Sequence, residues 1–380
     1  VKLPEFISCL KLRTSYTEVG SPITQTGITP GTVTDPMSGG VINPISTYPY
    51  PDFKPERTKS YEVGINARFL NGRISFDGTF YQSNTYNQTF LSVMSPATGY
   101  SGFYVQAGNV RNRGVEMTLG YNDTFGKVNY STHLTYTANQ NKIVEMVHDY
   151  RNPIDNSLVN ITELTLKEAG DVYLREGYSM CDVFTTGILQ RGRDGKLVEE
   201  GNGYQVDRSQ RIRLGSADPD FTMGWRHDIN YKNISLGLMI TGRFGGIVTS
   251  QTQAFMDAFG VSKVSAEARD NGGVMLDGHR YDAERYYNTV GGQGLMSYYT
   301  YDATNVRLQE LSLTYSLPKK WLGDVFNNAT ISFVGRNLFM FYRKAPFDPD
   351  MNGSTGTYNR SDFFMAPSLR NLGFSIKFSL

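Results

Sequence analysis

An all-β fold, specifically a transmembrane antiparallel β-barrel of about ten strands, is what this sequence predicts. Three observations carry that expectation. Apolar and polar residues alternate strictly in segment after segment, the connections between segments alternate short and long, and a helical period is essentially absent.

The segments can be taken in chain order. "LKLRTSY" opens the series. In "SYEVGINARFL", Tyr61, Val63, Ile65, Ala67 and Phe69 share a face opposite Glu62, Gly64, Asn66 and Arg68. After the turn "NGR", Ile74, Phe76, Gly78 and Phe80 oppose Ser75, Asp77 and Thr79. Val115, Met117, Leu119 and Tyr121 oppose Glu116, Thr118 and Asn122, and then Val128, Tyr130, Leu134 and Tyr136 oppose Asn129, Ser131, His133 and Thr135. "FTMGWRHDINY" and "ISLGLMITGR" form a third pair joined at "YKN". "VRLQELSLTYS" and "ATISFVGRN" form a fourth, joined by "LPKKWLGDVFN". In that pair the phase slips, with Val306 and Leu308 even but Leu311, Leu313 and Tyr315 odd, so a β-bulge is predicted near Gln309 and Glu310. The final segment places Leu372, Phe374, Ile376, Phe378 and Leu380 on one face.

Alternation alone does not separate a soluble sandwich from a membrane barrel, because either can bury one apolar face. The connections do separate them. Those at "NGR", "DTFGK", "YKN" and "LPKKWLGDVFN" are short, whereas the others run roughly over 19–57, 91–105, 141–218, 248–302 and 343–368. Successive antiparallel strands place successive connections at opposite ends, so all the long loops share one end, the habit of outer-membrane barrels with short periplasmic turns and long extracellular loops. Lipid offers the backbone no hydrogen-bond partners, so the strands must belong to a closed sheet.

Composition narrows the function. A net charge of +1 offers neither a basic field for nucleic acid nor an acidic one for cations. Cys9 and Cys181 match no metal or redox spacing. The longest nearly apolar run, "ISLGLMI", is far short of the roughly 20 residues of a membrane helix. The opening residues carry neither a signal core nor a cleavage site, which is expected of a chain cut from a longer one.

Five stretches carry a family resemblance: "FKPERTKSYEVGINARFLNGRISFDGTFY" (53–81), "QAGNVRNRGVEMTLGY" (106–121), "VRLQELSLTYSLPKKWL" (306–322), "ISFVGRNLFMF" (331–341) and the terminal "SLRNLGFSIKF". Together they resemble the C-terminal part of the SusC/RagA family of TonB-dependent outer-membrane transporters. The resemblance implies a barrel of about 22 strands filled by an N-terminal plug. This chain would supply the last ten or so strands, with the plug, TonB box and signal peptide lying outside it. It also implies location in the outer membrane of a Gram-negative bacterium, a SusD-like surface lipoprotein as lid, TonB as the energy source, and no enzymatic activity. Arg68, Glu116, Arg226 and Asp228 would line the lumen. In "EGYSMCDVFTTGILQ" only "TTGILQ" echoes the family's pattern.

No catalytic set emerges from the remaining motifs. "DPDMNG" places Asp348, Asp350 and Asn352 like the first half of a calcium loop, but the twelfth position is Asn359 rather than Glu, so a polar turn is favoured over a metal site. Ser316 and Lys319 have serine–lysine spacing, yet Pro318 marks a connector. His133, His148, His227 and His279 are scattered, and "GGQG" lacks the third glycine of a dinucleotide loop. The tyrosine-rich stretch 281–302 is read as an extracellular loop whose rings have no core to join and so suit a sugar or a peptide; equally open are packing on neighbouring loops or a partner lid, and places in the interfacial aromatic girdle. Tyr286, Tyr287, Tyr298, Tyr299, Arg211 and Arg213 are the substrate-contact candidates. The function expected is import of oligosaccharides or oligopeptides, without a cofactor. The alternative is a self-closed ten-stranded barrel serving as a surface enzyme or adhesin.

Overall fold

The computed structural model describes residues 4–22, 32–35, 41–44, 47–48, 53–151, 157–166, 172–322, 326–350 and 361–379. Ten long strands form one antiparallel sheet: β1 (Ile7–Ser21), β2 (Glu56–Phe69), β3 (Ile74–Tyr86), β4 (Asn109–Phe125), β5 (Val128–Glu145), β6 (Phe221–Tyr231), β7 (Ile234–Phe244), β8 (Asn305–Ser316), β9 (Asn328–Arg343) and β10 (Asn371–Ser379). Each strand pairs with its neighbours in sequence, so the sheet is a plain meander. The ten strands read from the sequence are all present, in order.

The short turns are built as tight reversals demand. Between β2 and β3 the chain passes Leu70, Asn71 and Gly72 at φ of 52°, 55° and 85°, and between β4 and β5 Gly126 sits at φ 63°. The bulge falls where the phase slips: Met239 pairs with Glu310 and Ile240 with Leu308, leaving Gln309 without an opposite number.

The apolar face is the outward one. Leu12 is 75% exposed and Phe374 68%, and Val63, Phe80, Leu119, Trp225, Leu313 and Phe333 are exposed as well. A water-soluble sheet would cover such a stripe with a second layer, whereas here it runs bare across the sheet, as a lipid-facing belt does. The opposite face is polar and internally bonded. Arg13 on β1 reaches across β2 to hydrogen-bond both carboxylate oxygens of Asp77 on β3 at 2.6 and 2.9 Å. It can do so because Gly64 lies beneath it: a Cβ there would clash with the arginine Nε. Farther round, Arg226 is paired with Asp228, and Glu310 with Arg336. Arg68 and Glu116 are exposed on this same polar side.

Among the described residues β1 and β10 do not pair with each other; they are the two free edges of the sheet. The described residues thus show an open sheet of ten strands, with no pairing that closes it on itself.

The long connections hold folded structure that the sequence reading did not foresee. Three helices stand between β7 and β8: α1 (Gln251–Ala258), α2 (Lys263–Asp270) and α3 (Ala283–Val290). Their N-caps are Ser250, Ser262 and Asp282, each accepting an amide hydrogen bond from the residue three positions on. α3 carries Ala283, Tyr286, Tyr287 and Val290 at i, i+3, i+4 and i+7, so one apolar stripe faces inward.

Candidate functional site

The two longest loops, 146–220 and 245–304, meet above the sheet and share a core. Leu189, Leu197 and Tyr204 of the first pack with Tyr281, Tyr286, Tyr287, Leu295 and Tyr299 of the second. Tyrosine suits this junction because its ring fills the core while its oxygen meets the other loop's backbone. The Leu197 amide donates to the Tyr281 hydroxyl and the Leu189 amide to that of Tyr298, both at 3.1 Å. The Tyr204 amide donates to Thr289 Oγ1 at 3.0 Å.

The expectation that these tyrosines lack a core is thus corrected. Tyr286, Tyr287 and Tyr299 are 8%, 8% and 3% exposed. Burial pushes the Tyr286 and Tyr299 hydroxyls well above the usual phenol range, and burial together with the nearby Asp257 raises Tyr301 to about 12. The signal that would have found the core is the helical period of α3, which a search for strands passes over.

Beside this core lies a cleft of about 680 Å³ between the same two loops. One wall is a hairpin of two strands, Asp182–Leu189 and Val206–Ser216, and the other is the start of α1 with the glycine-rich turn after α3. Phe184, Phe255 and Met296 supply apolar lining, and Arg208 and Arg211 supply positive charge. The Arg211 guanidinium stacks on the Tyr173 ring, 4.1 Å from its centroid, and donates to Thr165 Oγ1 at 3.3 Å. Tyr173 in turn donates its hydroxyl to Glu163. Arg208 donates to the carbonyls of Thr186 and Gln293, and so ties one loop to the other. Gly187 permits that tie: its φ is 110°, and a Cβ there would lie 2.8 Å from Leu295.

Arg213, the other expected cation, is committed elsewhere. It holds the buried Asp182 carboxylate in a two-point pair at 2.8 and 2.9 Å. Asp348 and Asp350 have found a cation instead of a metal position: Arg307 on β8, only 5% exposed, meets them at 3.0 and 2.5 Å. Burial works to raise the Asp348 carboxyl, but hydrogen bonds from Ser368 and the Asp350 amide, with the Arg307 charge, hold it below the usual carboxylate range. Asn352 lies outside the described residues. Among the described residues no group of three or more His, Cys, Asp or Glu side chains could hold a metal ion. Sequence reasoning missed Arg208, Phe184, Phe255 and Arg307, since each acquires its role from a segment distant in the chain.

A family model described as "TonB dependent receptor-like, beta-barrel" matches residues 6–241. The chain belongs to that family. TonB-dependent receptors are outer-membrane transporters rather than enzymes, so the exposed apolar stripe is this receptor's membrane belt and the long loops are its outer face. TonB-dependent receptor P3 of Formosa agariphila is 25% identical over 98% of this chain and 40% of its own length. TonB-dependent receptor P26 of the same organism is 25% identical over 79% of this chain and 32% of its own. The chain therefore spans about two fifths, or less, of the curated relatives it matches. Among solved structures, that of the RagAB peptide transporter superposes with a TM-score of 0.72 at 17% identity, over 99% of this chain and 41% of that one. The SusC/RagA resemblance drawn from the motifs agrees with these findings.

Proposed function

We propose that this receptor chain is the C-terminal part of a single barrel domain, in a transporter that imports nutrient oligomers across the outer membrane of a Gram-negative bacterium. Cargo would be oligopeptide or oligosaccharide, energised by TonB through a plug and TonB box outside this chain. The observation that carries the reading is the bare apolar belt with the long connections leaving one end of the sheet, in a member of this family. The two free sheet edges support further strands completing the cylinder, with β10 against the first strand of the remainder.

A SusD-like lipoprotein is proposed as the lid. Phe259 and Val261, 77% and 72% exposed, lie at the α1–α2 junction on the outer face and give it an apolar landing point. Of the residues first expected to meet cargo, Arg211 is proposed as a direct contact. Arg213, Tyr286, Tyr287, Tyr298 and Tyr299 are proposed to hold the cleft in shape.

Growth tests the reading. Cells lacking the gene should fail on an oligopeptide or oligosaccharide as sole source, recover with the full-length gene, and fail again without TonB. Recovery that persists without TonB would overturn it.

A further inference from the structure

We propose that the cleft between the two longest loops selects cargo by charge, with Arg211 as the anchor for the C-terminal carboxylate of an oligopeptide. The inference rests on the transport reading above and adds to it what the cargo must carry.

The lining gives the reason. Among the described residues, the side chains with ionised heads in the cleft are Asp182, Arg208 and Arg211. Asp182 is already neutralised by Arg213, which leaves two guanidiniums without a carboxylate partner among the described residues. They are not equivalent. Arg208 spends its donors on the carbonyls of Thr186 and Gln293, whereas Arg211 has one long bond to a threonine hydroxyl and lies flat on Tyr173. Stacking fixes the plane of its guanidinium without consuming its edge donors, so the fork stays free for a two-point bond to a carboxylate. Glu163, on that side, accepts from the Tyr173 hydroxyl.

The same stacking argues against a sugar as the preferred occupant. The Tyr173 ring face that a pyranose would use is covered by Arg211, and the remaining apolar lining includes Phe184, Phe255, Met296 and Val172, which suits irregular peptide side chains. A cleft of about 680 Å³ admits several residues of an extended peptide.

The test uses the full-length transporter purified with its partner chains in detergent. Binding is measured for an alanine-rich pentapeptide with a free C-terminus, its C-terminal amide, and a trimer of galacturonate beside its neutral counterpart. The free acid should bind better than the amide, Arg211→Gln should weaken it by about tenfold or more, and the amide should be unaffected. Arg211→Lys should recover only part of the loss, because a point charge does not reproduce the fork. Heat-modifiable mobility on gels should match wild type for both variants, since the side chain is exposed.

Equal binding of acid and amide would overturn the carboxylate anchor. Uronate binding that depends on Arg211, with no peptide binding, would overturn the peptide assignment. Binding of no probe would overturn the inference while leaving TonB-dependent growth on other oligomers to judge the transport reading separately.

Discussion

The sheet and the loop assembly obey opposite rules of solvent. In the ten strands the large apolar side chains point outward and the charges inward, so that Leu119 is bare while Arg13 and Asp77 bond to each other on the polar face. In the loops the order is closer to the ordinary one, with Leu295 fully buried, although Phe259, Val261 and Leu369 remain exposed. One chain thus contains a region folded for hydrocarbon and a region folded for water, and the border runs near the outer ends of β5 to β8. A substitution's sign consequently depends on which side of that border it falls.

The difference can be broken experimentally. The largest effect is expected at Leu295→Ala, where an emptied core should cost the loop assembly about 4 kcal/mol. Limited proteolysis of whole cells should then cut within 189–204 and 281–299 while the barrel keeps its heat-modifiable mobility. Arg307→Met comes next. It leaves the Asp348 and Asp350 carboxylates facing each other without their cation, at a cost of about 3 kcal/mol. Cleavage near residues 344–350 should rise.

On the other side of the border, Leu119→Arg should cost the barrel about 2 kcal/mol in lipid, read by denaturant titration in vesicles, whereas Thr118→Arg on the polar face should cost little. A smaller contrast is expected in alkali. The loop-core tyrosines have folded pKa values raised above the ordinary 10.0, so their contribution is fully present below pH 10 and is lost as pH climbs toward about 12 at Tyr301. Tyrosinate absorbance should rise in step with loop opening over that window, before the barrel unfolds.

What could be read in advance follows the same border. A strand in a barrel writes its environment into every second residue, so the faces of β2 to β10, the parity of the turns and the bulge at Gln309 were visible in one dimension. The loop assembly has no such period. Its core is assembled from Leu189, Tyr204, Tyr286 and Leu295, partners up to about a hundred positions apart, and the tyrosines looked like bare binding surface because polar neighbours surround them in sequence. Asp348 and Asp350 read as a polar turn with a weak calcium pattern, and their actual partner could not be seen because it stands on β8, with Arg307 41 residues before Asp348. Family motifs supplied the fold and the function class, but not the cleft.

The interlocking of Leu189 and Leu197 with Tyr298 and Tyr281 has an immunological consequence. The loop surface over that core is stitched from two stretches of chain, so an antibody raised on the folded receptor should recognise a discontinuous epitope. Peptides copied from either stretch would be poor immunogens against the living surface, and boiling the receptor would erase the antibody's target.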